Sequence, residues 1–240
     1  PALWAATAWA SRGAVEGLGA TAPVTRWQDP NLLSSGQSRL DANACLQQLQ
    51  QEQISPAHAE STAREALKRP DADPVWVLPL GYALWLQDRF EEALQHCRDQ
   101  AKALAGNVDL LILRGMLARR VTNGEEEALA AYEEALQLAP HRADVSYNLG
   151  NLHLHAERYS EAIDHYRRSL ALDGSNAMGW LNLGIAHREL DQHPQACQAL
   201  GQSLLIDPEH PDPWANLGIV ALAEGRVNTS MAFFRHSLQV

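Results

Sequence analysis

The chain has 240 residues, of which 46% are hydrophobic and 20% charged, and its formal net charge is -10. An excess of acidic residues disfavours nonspecific binding to nucleic acid or anionic lipid, because such contacts need Lys and Arg facing phosphate. No uninterrupted apolar run approaches the ~20 residues of a membrane-spanning helix. These properties predict a soluble protein that neither binds nucleic acid nor inserts into a membrane.

The N-terminal segment, residues 1–39, differs from the rest of the chain. Its apolar start, PALWAATAWASRG, loosely imitates the end of a signal peptide, but it has no initiator Met and no basic region before it. A processed start and a start inside a longer protein both stay open. We interpret the segment as a short helix begun by Pro1, with Trp4 and Trp9 packed on the following helices, and then a connector rich in Gly, Ser and Pro.

From about residue 40 onward the same residues return at a fixed spacing. A glycine recurs in steps of 34, 35, 34 and 34 residues, at Gly81, Gly115, Gly150, Gly184 and Gly218. A second column of small residues keeps step with it, at Ala93, Ala128, Ala162, Ala196 and Ser230. Because self-similarity at such a period is typical of repeat architectures, we take the repeat as the unit of the fold.

Each repeat predicts two amphipathic helices joined by a short polar turn, as in Val145–His155 followed by Ser160–Leu172. Gly150 and Ala162 fall where the paired helices would cross, since only a minimal side chain lets the backbones come close. Tyr166 would fill the space around that crossing. The sequence therefore predicts an all-α fold. Its repeats are a degenerate one over 40–73 and further ones near 74–107, 108–142, 143–176, 177–210 and 211–240.

The repeat resembles the tetratricopeptide repeat (TPR). The tryptophan, leucine, glycine, alanine and proline signature of that family is matched by Trp180, Leu183, Gly184, Ala196 and Pro208. One repeat later, Trp214, Leu217, Gly218 and Phe234 match it again. The resemblance covers residues 40–240 and implies a right-handed α-solenoid. In that fold the first helix of each repeat lines a concave groove.

The resemblance also implies that the residue before each Leu-Gly pair points into the groove. Asn148, Asn182 and Asn216 would then form a ladder, similar to the asparagine ladder in the TPR region of O-linked N-acetylglucosamine transferases. Each amide could bind the backbone of an extended peptide, and we expect these amides to face water in the free protein. The alternative, that Asn is simply common at this position, stays open.

Four further positions complete the predicted groove: Asn151, Ile185, Arg188 and Ile219. Chaperone-binding TPR domains hold a C-terminal carboxylate with a clamp of Lys, Arg and Asn. Here Arg188 is the only close basic residue, so the clamp is absent. Apolar groove residues, with Met178 as an adaptable contact, favour a peptide with apolar side chains.

The sequence shows no catalytic, metal or cofactor site. No Ser-His-Asp order, Cys-His pair or glycine-rich phosphate loop stands out. His153 and His155 are two positions apart on one helix and point to different faces, so they do not favour a shared metal. The three cysteines, Cys45, Cys97 and Cys197, lack metal-ligand spacing. An odd number of thiols on helical faces favours a reducing compartment, and we expect a cytoplasmic protein.

Three consecutive glutamates, Glu125, Glu126 and Glu127, fall in the first turn of a predicted helix. Negative charge at that place complements the helix dipole. We interpret all three as a solvated helix start.

Two functions fit the sequence. The first is a noncatalytic scaffold that binds a peptide or partner protein on the concave face. The second is the substrate-recruiting TPR region of a larger enzyme, such as a glycosyltransferase or sulfotransferase. Solenoid ends normally carry a polar cap, and no such helix follows Phe233 and Phe234. This predicts either self-association or continuation of the protein through that end.

Overall fold

The structure is a computed structural model that describes residues 36–69 and 72–240, with side chains from residue 41 onward. Within these residues the regular elements are 12 α-helices and one 3-10 helix, and none is a strand. This confirms the predicted all-α fold. The interpretation of residues 1–35 as a short helix and connector lies outside the described residues. The predicted repeat and domain boundaries stay predictions.

The helices follow one another in pairs. In chain order they are α1 Gly36–Gln50, α2 Pro56–Leu67, a 3-10 turn Pro74–Trp76, α3 Val77–Trp85, α4 Phe90–Gln100, α5 Val108–Ala118, α6 Glu125–Leu138, α7 Ala143–His155, α8 Tyr159–Leu172, α9 Ala177–Glu189, α10 His193–Ile206, α11 Pro211–Ala223 and α12 Val227–Ser237. Among the described residues, no helix is both long enough and apolar enough to cross a membrane. The described chain forms two compact units, which we call the N-terminal unit (residues 36–140) and the C-terminal unit (His141–Val240).

The turn inside a helix pair uses one residue in the left-handed conformation. Asp88, Asn123, Glu157 and Asp191 have φ between 55° and 59°, and Gly225 takes the same place with φ 75°. In the α7–α8 turn, the amide of Arg158 donates to the carbonyl of His153 at 2.9 Å, which satisfies a carbonyl at the helix end. The polar residues of these turns therefore have a defined structural role.

The core of the C-terminal unit lies between successive helices. Each first helix packs on the second helix of its pair, and α9 and α11 also pack on the preceding α8 and α10. Tyr166 and Ala162 are fully buried. A Cβ atom at Gly150 would lie 2.6 Å from Cε1 of Tyr166, so this crossing needs glycine. The structure thus shows the close approach that the two small-residue columns indicate.

Tryptophan side chains tie the turns between pairs. The indole Nε1 of Trp180 donates to the carbonyl of Gly174 at 3.0 Å, and Trp214 does the same to Pro208 at 3.1 Å. Within the pairs, Ser169 Oγ donates to the carbonyl of Ala143 at 2.8 Å. These side-chain bonds fix the helices at positions that recur every 34 residues.

In the N-terminal unit, ion pairs connect neighbouring pairs. Glu127 on α6 accepts from Arg98 on α4 and from Arg114 on α5, at 2.5 and 2.7 Å. Its side chain is 17% exposed. The hydrogen bond from Arg98 is the largest influence holding the pKa of Glu127 below its ordinary value. The interpretation of Glu127 as part of a solvated helix start is therefore wrong, because repeat stacking brings two guanidinium groups to it.

Candidate functional site

The seven residues predicted for the groove all lie on the first helices of the three pairs in the C-terminal unit. Asn148 and Asn151 lie on α7, Asn182, Ile185 and Arg188 on α9, and Asn216 and Ile219 on α11. A spacing of 34 residues gives equivalent positions the same place in successive first helices. We call the surface of these three helices that carries the seven residues the inner face.

The expectation that the asparagine amides face water is wrong. Asn148, Asn182 and Asn216 are 6%, 1% and 0% exposed. Two of them bond to their own helix, since Nδ2 of Asn148 donates to the carbonyl of Asp144 at 2.9 Å and Nδ2 of Asn216 to that of Asp212 at 2.8 Å. The residue before Leu-Gly is enclosed by neighbouring helices, and its amide group is bonded inside the protein.

Asn182 belongs to a buried polar cluster that joins three helices. Its Nδ2 donates to Oδ1 of Asn151 at 3.0 Å and to the hydroxyl of Tyr147 at 3.3 Å. The hydroxyl of Tyr166 donates to the same Asn151 oxygen at 2.7 Å. In the described part of the chain, Oδ1 of Asn182 is buried without a hydrogen-bond partner. The cluster thus presents one acceptor whose donor is missing.

Arg188 joins α9 to α11. Its side chain is 8% exposed, and its guanidinium donates to Oδ1 of Asn216 and to the carboxylate of Glu189. A buried guanidinium needs such acceptors, because an unpaired buried charge is costly. The one basic residue of the predicted groove is therefore engaged within the protein.

A buried carboxyl group lies one helical turn before Asn216. Asp212 is 6% exposed, and its burial raises the pKa of the carboxyl group, with the nearby His210 acting in the opposite direction. Desolvation disfavours the charged form of an acid. This carboxyl group therefore lies in a setting that favours neutral or cationic neighbours.

The apolar part of the inner face is only partly accessible. Ile185 is buried in a cluster with Leu181 and Leu200, and Met178 packs against that cluster while half-buried. Ile219 is half-buried on α11. Met178 and Ile219 are thus the apolar side chains that a ligand can reach first.

Sequence reasoning missed two members of the inner face, Tyr147 and Leu181. The available signal is that they occupy the same position in successive repeats, 34 residues apart and next to the asparagine column. Tyr147 is half-buried and bonded to Asn182, whereas Leu181 is fully buried. Periodicity places such residues, but it does not show which side chains they contact.

No group of three His, Cys, Asp or Glu side chains suited to a metal occurs among the residues that the structure describes. The rings of His153 and His165 stack in parallel with centroids 5.2 Å apart. Parallel rings direct their nitrogen lone pairs within separate planes, and Nδ1 of His153 already accepts from Arg158 at 2.9 Å. The histidines therefore form a packing contact.

Helix pairs at a 34-residue period, a glycine against an aromatic ring at the crossing, and tryptophan-tied turns define a protein of the tetratricopeptide class. The family model of the cilia and flagella-associated protein 70 C-terminal domain, a TPR domain, matches residues 42–240. The chain belongs to this family, which confirms the resemblance found in the sequence. No curated protein matches the chain.

Solved TPR structures share the fold. MamA from Desulfovibrio magneticus RS-1 is 19% identical with a TM-score of 0.64, over 69% of this chain and 93% of MamA. YrrB, described as a TPR protein with an unusual peptide-binding site, is 16% identical with a TM-score of 0.59, over 74% of this chain and 91% of YrrB. The APC/C hetero-tetramer Cut9-Hcn1 gives 17% and 0.71, over 84% of this chain and 40% of the other. At these identities the likeness shows the fold alone.

Proposed function

We propose that the protein is a noncatalytic interaction scaffold, and that a peptide segment of a partner protein binds on the inner face of α7, α9 and α11. The membership of a TPR family supports an interaction role, and YrrB has a peptide-binding site on the same fold. The observation that carries the proposal is the unpartnered Oδ1 of Asn182 at the centre of this face.

A buried acceptor without a donor costs about 1–3 kcal/mol, so a ligand that brings an N–H group to it gains that amount back. A peptide backbone offers such donors at every residue except proline. Because Asn182 is 1% exposed, the ligand reaches it only after neighbouring side chains move. Met178 lies one helical turn before Asn182 and has the flexible thioether chain that permits such movement.

The remaining groups of the face favour an apolar ligand. Arg188 is already bonded to Asn216 and Glu189, so it does not supply a free cation for a carboxylate. Met178 and Ile219 offer apolar contacts. We therefore infer that complex formation depends mainly on amide and apolar contacts and weakens only modestly as the salt concentration rises.

Site-specific photo-cross-linking tests the proposal with the full chain as bait in an extract of the source cell. A photoreactive amino acid is placed at Ile219 on the inner face, or at exposed Gln198 on α10 as the control position. We expect a distinct cross-linked protein from position 219 only. Asn182→Ala should lower its yield several-fold, whereas Asn228→Ala, at an exposed position, should not.

The same proteins cross-linked from both positions, or none from position 219, would contradict binding on the inner face. Circular dichroism of each variant must first show the folded helical spectrum. This check matters for Asn182→Ala, because the variant also loses the bonds to Asn151 and Tyr147.

A further inference from the structure

The last helix of the described fold, α12, carries an apolar stripe exposed to solvent. Val227, Met231 and Leu238 are 53%, 46% and 84% exposed, and Arg235 lies between them on the same side of the helix. Residues at these spacings fall on one face of an α-helix. We call this surface the α12 stripe.

The equivalent surface of earlier pairs is a packing interface. Ile163 and Leu170, which precede Met231 and Leu238 by two repeats, are 5% and 7% exposed in a cluster with Leu183 of α9. A Cβ atom at Gly179 of α9 would lie 3.0 Å from Cδ2 of Leu170. The first helix of the next pair therefore covers this surface on α8.

In the described chain, α8 packs on α7 and α9, and α10 packs on α9 and α11, whereas α12 packs on α11. The α12 stripe thus continues an established helix-packing interface. The helix that covers α8 presents Gly179, Leu183 and Ala186, spaced by four and three residues along one side. A helix with a small residue and a leucine at such spacing has the shape that fits the stripe.

The charge around the stripe selects among such helices. Residues 225–240 contain Arg226, Arg235 and His236 and no acidic residue, within a chain of net charge -10. Arg226 pairs with Glu224, while Arg235 is exposed and has no ion pair within the described structure. A partner helix with acidic residues beside its apolar side would complement this surface.

We propose that the α12 stripe is a second docking surface, separate from the inner face, and that it binds an acidic amphipathic helix of a partner protein in the manner of a further repeat. Apolar residues of that helix cover Met231 and Leu238, and its acidic residues lie beside Arg235. A second copy of this chain fits less well in a symmetric arrangement, because α12 against α12 brings basic residues together.

The chain itself supplies a probe for this surface. A peptide of residues 207–225 contains α11, the helix that covers α10, and carries Asp207, Glu209, Asp212 and Glu224 without Lys or Arg. We would label this peptide with a fluorophore and titrate it with the full chain, following fluorescence anisotropy. Binding should saturate, and a scrambled peptide of the same composition should not bind.

Variants of the full chain locate the binding surface. Leu238→Asp should weaken binding at least tenfold and Arg235→Glu several-fold. Leu205→Asp is the matched control, because Leu205 is 78% exposed on α10 and its repeat equivalent, Gln239, is not part of the stripe. All three positions are exposed, so the variants should fold, and melting curves check this.

Three results would overturn the proposal. The first is no saturable binding of the peptide, and the second is equal affinity for wild type and Leu238→Asp. The third is a wild-type dimer, by light scattering, that Leu238→Asp dissociates, since a second copy would then occupy the stripe. None of these outcomes bears on cross-linking from position 219, so the two proposals fail independently.

Discussion

At the residue scale, the fold depends on positions where backbone and ring meet without room for a side chain. Gly150 lies under the ring of Tyr166, and the sequence located this contact because both columns repeat. The same periodicity led to a wrong expectation for the asparagines. A column shows where a residue lies, whereas the burial of an amide depends on how closely the next helix packs.

Gly150→Ala should destabilise the protein by about 1–3 kcal/mol, because the added Cβ overlaps the Tyr166 ring and forces it to move. The matched control is Gly201→Ala on α10, where a Cβ meets nothing within 4 Å. That variant should stabilise by about 0.5–1 kcal/mol through helix propensity. Urea denaturation measures both, and a Gly150→Ala variant as stable as wild type would show that the contact is not tight.

At the element scale, long-range pairs fix one repeat on the next. Glu127 draws together α4, α5 and α6 through Arg98 and Arg114. The sequence located the helix itself, since Glu125–Leu138 follows the period. It did not show that Glu127 differs from Glu126, because Arg98 is 29 residues away and reaches Glu127 only through stacking.

Glu127→Gln should lower stability at neutral pH by about 1 kcal/mol, a figure reduced for the half-exposed Arg98. The pKa of Glu127 is lowered from its ordinary value of 4.5 by the two guanidinium groups. Its contribution is therefore fully present above pH 4.5 and is lost as pH falls through the lowered pKa. Wild type and variant should converge in stability in that acid range.

Glu126→Gln serves as the control for this experiment, because Glu126 is exposed in the same helical turn. Thermal melts at several pH values compare the three proteins. An equal effect of both substitutions would mean that only the helix dipole, and not the two arginines, accounts for the loss.

At the scale of the whole molecule, the class of fold was predictable because five glycines in register determine the repeat. The inner-face cluster was not, since it depends on hydroxyl and amide contacts between residues up to 35 positions apart. The three thiols sample both units: Cys45 and Cys97 lie in the N-terminal unit and Cys197 in the C-terminal unit. They can therefore report on each unit separately.

One thiol should react with Ellman's reagent in the folded protein at pH 8, and three in denaturant. Cys197 is partly exposed, whereas Cys45 and Cys97 are 6% and 0% exposed. Burial also raises the pKa of Cys97 to about 12, so its reactive thiolate is scarce. Cys197→Ser should abolish the fast reaction, and two fast thiols in wild type would mean that the N-terminal unit opens readily.

The indole bonds of Trp180 and Trp214 have a consequence for how such a chain is inherited. Each donor and its acceptor carbonyl are six residues apart, on either side of the turn between two helix pairs. A tandem gene duplication of any 34-residue stretch that begins just before Gly174 copies both halves of the bond together. A descendant with one more or one fewer repeat would keep every such seam intact, so the length of the array can change over evolution without a new fastening having to arise.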